Sequence, residues 1–260
     1  MSWQRIKPLL LHSWYHATHS KETQIDLVWF TLIQFLIFGL IAKVISAGQP
    51  EMGVVLILGF LLWEIVRIGQ YSVTVSMLWE VWSKSFNSLF IAPLTMTEWI
   101  VSQMIAAAVK TFLVIGSLAV LGHFLFHFSL LQLGIALPLY VLVLIGFAYA
   151  SGIFITGLII RYGTNIQSFA WGLIYVFQPI SAVFYPVQAL PAEIRWTSYI
   201  SPITYVMESA RHQFATSTIL WNYVVISIVM CALYLVGAWV FMQEMYKRAR
   251  RTGEFARLGD

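Results

Sequence analysis

Apolar residues run along this chain in blocks far longer than a soluble protein's buried helices need, and the charged residues collect between them. A helix that crosses the roughly 30 Å hydrocarbon layer takes about 20 apolar residues at 1.5 Å each. That window predicts spans near 25–45, 53–75, 100–123, 133–160, 169–184 and 219–242. The fourth is longer than a crossing requires, which predicts a tilt or a kink at Pro138. After the N-terminal segment every connector is short, so residues 1–260 read as a single all-α polytopic membrane domain of about six spans.

The composition agrees. Hydrophobic residues make up 60% of the chain and charged residues 10%, with a mean hydropathy of +0.80. A soluble domain carries roughly 25% charged residues, so the chain is read as an integral membrane protein. The formal net charge of +4 is concentrated in the tail 243–260, with Lys247, Arg248, Arg250, Arg251 and Arg257. Such a tail suits anionic lipid headgroups better than nucleic acid. Cys231 is the single cysteine, which excludes disulfides and thiolate metal sites within the chain. The first apolar run is interrupted by His12, His16, His19, Lys21 and Glu22, and no small-residue cleavage pattern follows, so no signal peptide is expected.

Lysine and arginine in the short connectors set the expected orientation. Arg5, Lys7 and Lys21 precede the first span, Lys84 and Arg161 lie in the second and fourth connectors, and the basic tail ends the chain. The opposite side holds only Arg195 and Arg211, while Lys43 can snorkel from the outer end of the first span. Both termini are therefore expected on the cytoplasmic side, which requires an even number of spans. Within 1–22, Trp3, Ile6, Leu9, Leu10 and Trp14 alternate with Arg5, Lys7 and His12, and the four-residue spacings predict an amphipathic helix at the cytoplasmic surface. A frayed tail is the competing reading, against which the interface-seeking tryptophans argue.

Two connectors are unusual. In the second, Trp82, Phe86, Leu89 and Phe90 recur at three- and four-residue spacing, predicting a short amphipathic helix over 80–93 that Pro93 stops. Thr95 and Glu98 have the spacing of a capping box for the next helix. A cytoplasmic helix joined rigidly to two spans suits the reception of motion from a soluble partner; it equally suits an interfacial anchor. The other connector, 182–211, carries Pro186, Pro191 and Pro202 and four charges, Glu193, Arg195, Glu208 and Arg211, among aromatic and aliphatic residues that a solvated loop does not need. It is expected to dip back into the bilayer as a broken segment, which is tolerated where protein or a water-filled path satisfies its backbone.

Three ionisable residues fall mid-span: Glu64 and Arg67 in the second, three apart on one face, and Lys110 in the third. Such groups are costly in a bilayer and usually face protein or a polar cavity. Glu64 and Lys110 fall at similar depth, so a charged network joining the two spans is expected; the alternative has Arg67 and Lys110 snorkelling while Glu64 is neutral. The histidine pairs near residues 12–19 and 123–127 lack further ligands for a metal, and no metal or catalytic group is assigned. Neither H-E-x-x-H nor G-x-S-x-G is present. Trp171, Tyr175, Phe177, Phe184 and Tyr185 cluster around the fifth span, where they suit either an interface belt or stacking on a flat or sugar-like molecule. Ala148 and Gly152 have small-xxx-small spacing and suit close helix packing with a neighbour the spacing does not identify.

The run Asn87-Ser-Leu-Phe-Ile-Ala-Pro-Leu-Thr-Met-Thr-Glu98 resembles the cytoplasmic segment of ABC-2-type permeases, the membrane subunits of ABC exporters. Phe184-Tyr-Pro-Val-Gln-Ala-Leu-Pro-Ala-Glu, Ser201-Pro-Ile-Thr and Glu208-Ser-Ala-Arg211 look like that family's second signature. The resemblance implies two permease copies, expected to be identical, paired with two ATPase subunits in the inner (cytoplasmic) membrane. It implies that 80–93 is the coupling helix, with Trp82, Phe86, Leu89, Phe90 and Pro93 docking on the ATPase and Glu80, Lys84 and Glu98 as exposed polar contacts. It also implies that Tyr185, Pro186, Leu190, Pro191, Pro202, Glu208 and Arg211 build re-entrant helices over 185–211 that close the outer end of the pathway. The chain has no G-x-x-x-x-G-K-[ST] phosphate loop, so ATP and Mg are expected on the partner and no cofactor on this chain. The expected cargo is amphipathic: a lipid-linked glycan, a lipid or a hydrophobic drug. An intramembrane lipid-modifying enzyme is the first alternative, but a paired acid and nucleophile are missing. An ion-coupled secondary transporter is the second, but only one half of the chain carries a broken segment.

Overall fold

The computed structural model describes residues 3–85 and 94–252, and every regular element among them is helical. In chain order these are α1 (Trp3–His19), α2 (Lys21–Ser46), α3 (Pro50–Trp82), α4 (Met96–Phe126), α5 (Ala136–Tyr162), α6 (Phe169–Ile180), α7 (Pro202–Thr216) and α8 (Trp221–Thr252). The starts follow from local chemistry. Pro50 and Pro202 occupy the first turns of α3 and α7, where an N–H would have no partner. Thr95 and Glu98 form the capping box that the sequence predicts: the Thr95 hydroxyl accepts from the Glu98 N–H at 3.2 Å, and the Glu98 carboxylate accepts from the Thr95 N–H at 3.1 Å.

Among the described residues, five helices are long and apolar enough to cross a membrane: α2, α3, α4, α5 and α8. The sixth expected crossing differs. In place of a span over 169–184, α6 has 12 residues, about 18 Å of helix, well short of the hydrocarbon thickness. Pro179 sits in its last turn, and Ala182 takes a left-handed φ of 50° that ends it. The rest of the journey is made by α7. The start of α6 lies at the end of α3, where Trp171 stacks on Trp82 with centroids 6.1 Å apart. The end of α7 lies at the start of α5, where the Gln213 amide donates to the Leu133 carbonyl at 2.9 Å and Phe214 stacks on Phe128. Between Gln167 and Thr216 the chain thus passes from one end of the bundle to the other in two helices with a break between them.

The break begins inside the bundle. Val183 lies against Gly59 in the first third of α3, Phe184 stacks on Phe38 of α2 at 4.7 Å, and the Tyr234 hydroxyl near the middle of α8 donates to the Ile200 carbonyl at 3.1 Å. A loop here is possible because its polar backbone finds partners within the protein.

Helices α3 and α5 form the centre. Within their apolar windows 78% and 72% of residues are buried, against 22–28% for α2, α4 and α8. The outer three present aliphatic faces to their surroundings, as lipid-facing helices do. Small residues explain how closely the central pair approaches. A Cβ added at Gly69 would stand 2.9 Å from the Ala148 Cβ, and one at Gly152 would stand 2.9 Å from the Val73 Cβ. The neighbour of the Ala148–Gly152 stripe is therefore α3 of the same chain. On its other side α5 packs on α8, where Gly157 lies against Met242. Helix α5 runs unbroken from Ala136, so Pro138 falls in its first turn, where its missing N–H costs no hydrogen bond within the helix.

Helix α1 packs along the first half of α4. Ile6, Leu9 and Ser13 face inward, and the Ser13 hydroxyl donates to the Gln103 side chain at 3.1 Å. Leu10 and Trp14, which share a helical face by their spacing, line one groove beside α4, Leu10 half-buried and Trp14 52% exposed.

Candidate functional site

A polar cleft of about 140 Å³ opens between α2, α3 and α6, lined by Asp26, Gln34, Arg67, Gln70, Trp171 and Tyr175 among others. Arg67 is its most costly member. Its guanidinium donates to both oxygens of Glu64 at 2.6–2.9 Å and to the Thr31 hydroxyl. Glu64 is completely buried and Arg67 is 9% exposed. This pair, one helical turn apart on α3, brings together two of the three mid-span charges. A bidentate fork of this kind satisfies both charges at once, which burial demands. The Tyr71 hydroxyl donates to Asp26 at 2.6 Å, and the Gln70 amide donates to Thr74 and to the Ala170 carbonyl. Asp26 sits in a π-helical stretch, Ile25–Trp29, within α2, a distortion common at functional positions. Polar groups and aromatic faces thus converge on one opening.

Lys110 does not join them. No hydrogen bond or ion pair connects it to Glu64 or Arg67 among the described residues, and it lines a separate groove against α1. The expected three-membered network is corrected to a pair with Thr31. Equal depth on two helices says nothing about azimuth: Thr111 lies towards Gly69 of α3, so its neighbour Lys110 is turned about 100° away.

At the Trp82 end the picture also changes. Glu80 and Trp82 belong to the last turn of α3, which ends at Trp82, and Lys84 takes a left-handed φ of 56°. Trp82 turns inward, against Trp79 and Trp171, with its indole N–H donating to Gln167 at 3.3 Å. Glu80 accepts a hydrogen bond from Ser85 and is 6% exposed; Glu98 holds the Thr95 cap, lies 3.8 Å from Arg5 and is 3% exposed. The expectation that Glu80 and Glu98 are exposed contacts is corrected: both carboxylates cap backbone or bond neighbours inside the chain. Lys84 is exposed. Phe86, Leu89, Phe90 and Pro93 lie outside the described residues.

In the broken segment, Glu208 and Arg211 form a bracket. The Arg211 guanidinium donates to Glu208 at 2.6 Å and to the Ala182 carbonyl, and Glu208 accepts the Val187 N–H at 2.9 Å. Tyr185 donates to the Pro179 carbonyl, and Leu190 packs with Ala182 and Val187. Pro186 precedes the short turn Val187–Ala189, Pro191 accepts from the Ile194 and Arg195 N–H groups, and Pro202 starts α7. Two side chains of α7 thus hold a loop that follows α6.

The aromatic cluster of the fifth span disperses. Trp171 and Tyr175 line the polar cleft, Phe177 meets Phe147 and Phe184 meets Phe38. Sequence reasoning passed over Thr31, Gln34, Gln70 and Tyr71. A signal was present: Gln70 and Tyr71 stand three and four residues after Arg67, on its face.

Set against known families, the chain matches the ABC-2 type transporter over residues 13–215, from within α1 to within α7. A search of curated proteins returns no match. The matched region holds the Glu64–Arg67 pair, the cleft and the Glu208–Arg211 bracket. With that match and five helices of membrane-crossing length among the described residues, the chain is an integral membrane protein and belongs to the ABC-2 type transporter family.

Proposed function

We propose that this chain is the permease subunit of an ATP-driven exporter, working as a dimer of two like copies with two separate ATPase subunits. The observation that carries this reading is the family match across most of the chain. The lack of a G-x-x-x-x-G-K-[ST] run supports an engine on another polypeptide. In this reading the Trp82 end of the bundle faces the cytoplasm, as do both termini, and α6 with α7 completes a sixth crossing. The segment from Ser83 to Thr95 receives the ATPase. The break held by Glu208 and Arg211 lies in the outer half of the membrane and closes the path. The cleft beside Arg67 mixes hydrogen-bonding groups with aromatic faces, which supports an amphipathic cargo such as a lipid-linked glycan, a lipid or a hydrophobic drug.

Motion of the ATPase pair would act on Ser83–Thr95 and pass directly into α3 and α4. Helix α3 carries the Arg67 cleft and touches the break at Gly59, so one rigid element links docking surface, cleft and outer closure. Co-expression with a cognate ATPase tests this. The pair is expected to purify together, and candidate cargoes are then screened for stimulation of ATP hydrolysis. Phe86→Ala with Phe90→Ala is expected to lower ATPase retention about tenfold, as loss of aromatic anchors does, while the permease stays monodisperse. Trp82 is unsuited to this test because it packs within the chain. Unchanged retention and hydrolysis would reduce the segment to an anchor.

A further inference from the structure

We propose that the groove between α1 and α4 binds an anionic phospholipid, its phosphate held between Lys7 and Lys110 and its glycerol and acyl portion lying along Leu11, Trp14, Ile105 and Val109. The groove has a volume of about 250 Å³ and is apolar apart from its two ammonium groups. Neither lysine has a hydrogen-bond or ion-pair partner among the described residues. Lys110 lies within the membrane-crossing window of α4, beside residues that face outward: Ile105 is 37% exposed, Val109 44% and Phe112 58%. An ammonium in such a place needs an anion.

None of the described residues supplies one there. Glu98, the acid that meets α1, is engaged by the Thr95 cap and by Arg5 at 3.8 Å. The other titratable groups of α1 on this side, His12 and His16, add no negative charge. Burial, with Lys110 and His12 nearby, holds His16 below the usual imidazole range. Among the described residues, the surface therefore offers two cations without a partner above apolar walls, facing the lipid side of α4. A phospholipid with a net negative headgroup matches both parts. A free phosphate would match only the lysines and leave the apolar walls wet. The bound lipid would fasten α1 to α4, making the packing of the N-terminal helix depend on membrane composition.

The test is a titration of the full-length protein in phosphatidylcholine mixed micelles with phosphatidylglycerol, read by thermal unfolding and by lipid retention in native mass spectrometry. Phosphatidylglycerol is expected to stabilise the wild type. Lys7→Met and Lys110→Met are each expected to weaken its apparent affinity about fivefold, the effect of one basic residue on an anionic lipid, and the double variant about 25-fold. Lys7→Arg with Lys110→Arg is expected to retain binding, which separates lost charge from a damaged fold. The basic tail is identical in all variants and cancels. Wild-type affinity in the double Met variant would overturn the proposal. So would equal stabilisation by phosphatidylcholine, equal stabilisation by inorganic phosphate, or equal loss in the Arg variant.

Discussion

Replacing Arg67 by Met is expected to destabilise the folded protein by about 3–5 kcal/mol, the cost of leaving a buried charge without its partner. Glu64 would keep its position at the centre of α3, completely buried, with the fork of three short hydrogen bonds gone. Thr31 on α2 would lose its donor too, so the α2–α3 contact weakens with it. Adding Glu64→Gln removes the orphaned charge, and the double variant is expected to recover most of the loss, to within about 1–2 kcal/mol of wild type. Unfolding in mixed micelles, run as a double-mutant cycle, measures the difference. Wild-type stability in the single Met variant would mean that the pair is not a structural element of α3. If instead stability recovers in the double variant while transport does not, the charges serve the cargo path as well as the fold.

Loosening the break should show as access. Arg211→Met removes donors to the Ala182 carbonyl and the partner of Glu208, which in turn holds the Val187 N–H. Hydrogen bonds to charged groups contribute about 1.5–3 kcal/mol each, and the lower end suits side chains that retain some solvent contact. A loss of about 2 kcal/mol raises the open population about 30-fold. Val187, 1% exposed and beside the bracket, is the reporter. A cysteine placed there is expected to react slowly with an impermeant maleimide in the otherwise wild-type protein and about 30-fold faster with Arg211→Met. The same variant is expected to hydrolyse ATP with its partner while passing less cargo per turnover. Equal labelling rates would show that the bracket does not control the break.

The parts of this fold legible in the sequence are those fixed by local rules. Apolar windows located five of the described helices, because burying a backbone in lipid leaves helix as the open choice, but α3 and α8 run on past the predicted ends at 75 and 242 to Trp82 and Thr252. The Thr95–Glu98 cap and the Glu64–Arg67 pair followed from three-residue spacings, which helix geometry turns into contacts. The illegible parts depend on rotation about an axis or on tertiary partners. Lys110 shared a depth with Glu64 but not a face. Glu80 looked like an exposed docking contact until Ser85 turned back onto it. The span over 169–184 looked continuous because Phe184 and Val183 are as apolar as their predecessors. Its true end is set by Pro179, by the left-handed Ala182 and by the bracket residues Glu208 and Arg211, some twenty to thirty positions later, whose bonds make a break inside the bundle affordable. The charges of the broken segment were visible as unusual; which backbone groups they satisfied was not.

The central claim is that the connector after α3 faces the cytoplasm, where an ATPase can reach it. Single cysteines test it most directly. With buried Cys231 replaced by Ala, Lys84→Cys and Glu193→Cys place one exposed thiol at the α3 connector and one in the broken segment. Impermeant maleimide is expected to label Glu193→Cys in intact cells and Lys84→Cys only in inside-out vesicles. Labelling of Lys84→Cys in intact cells would contradict the account, since no cytosolic engine could then engage this segment.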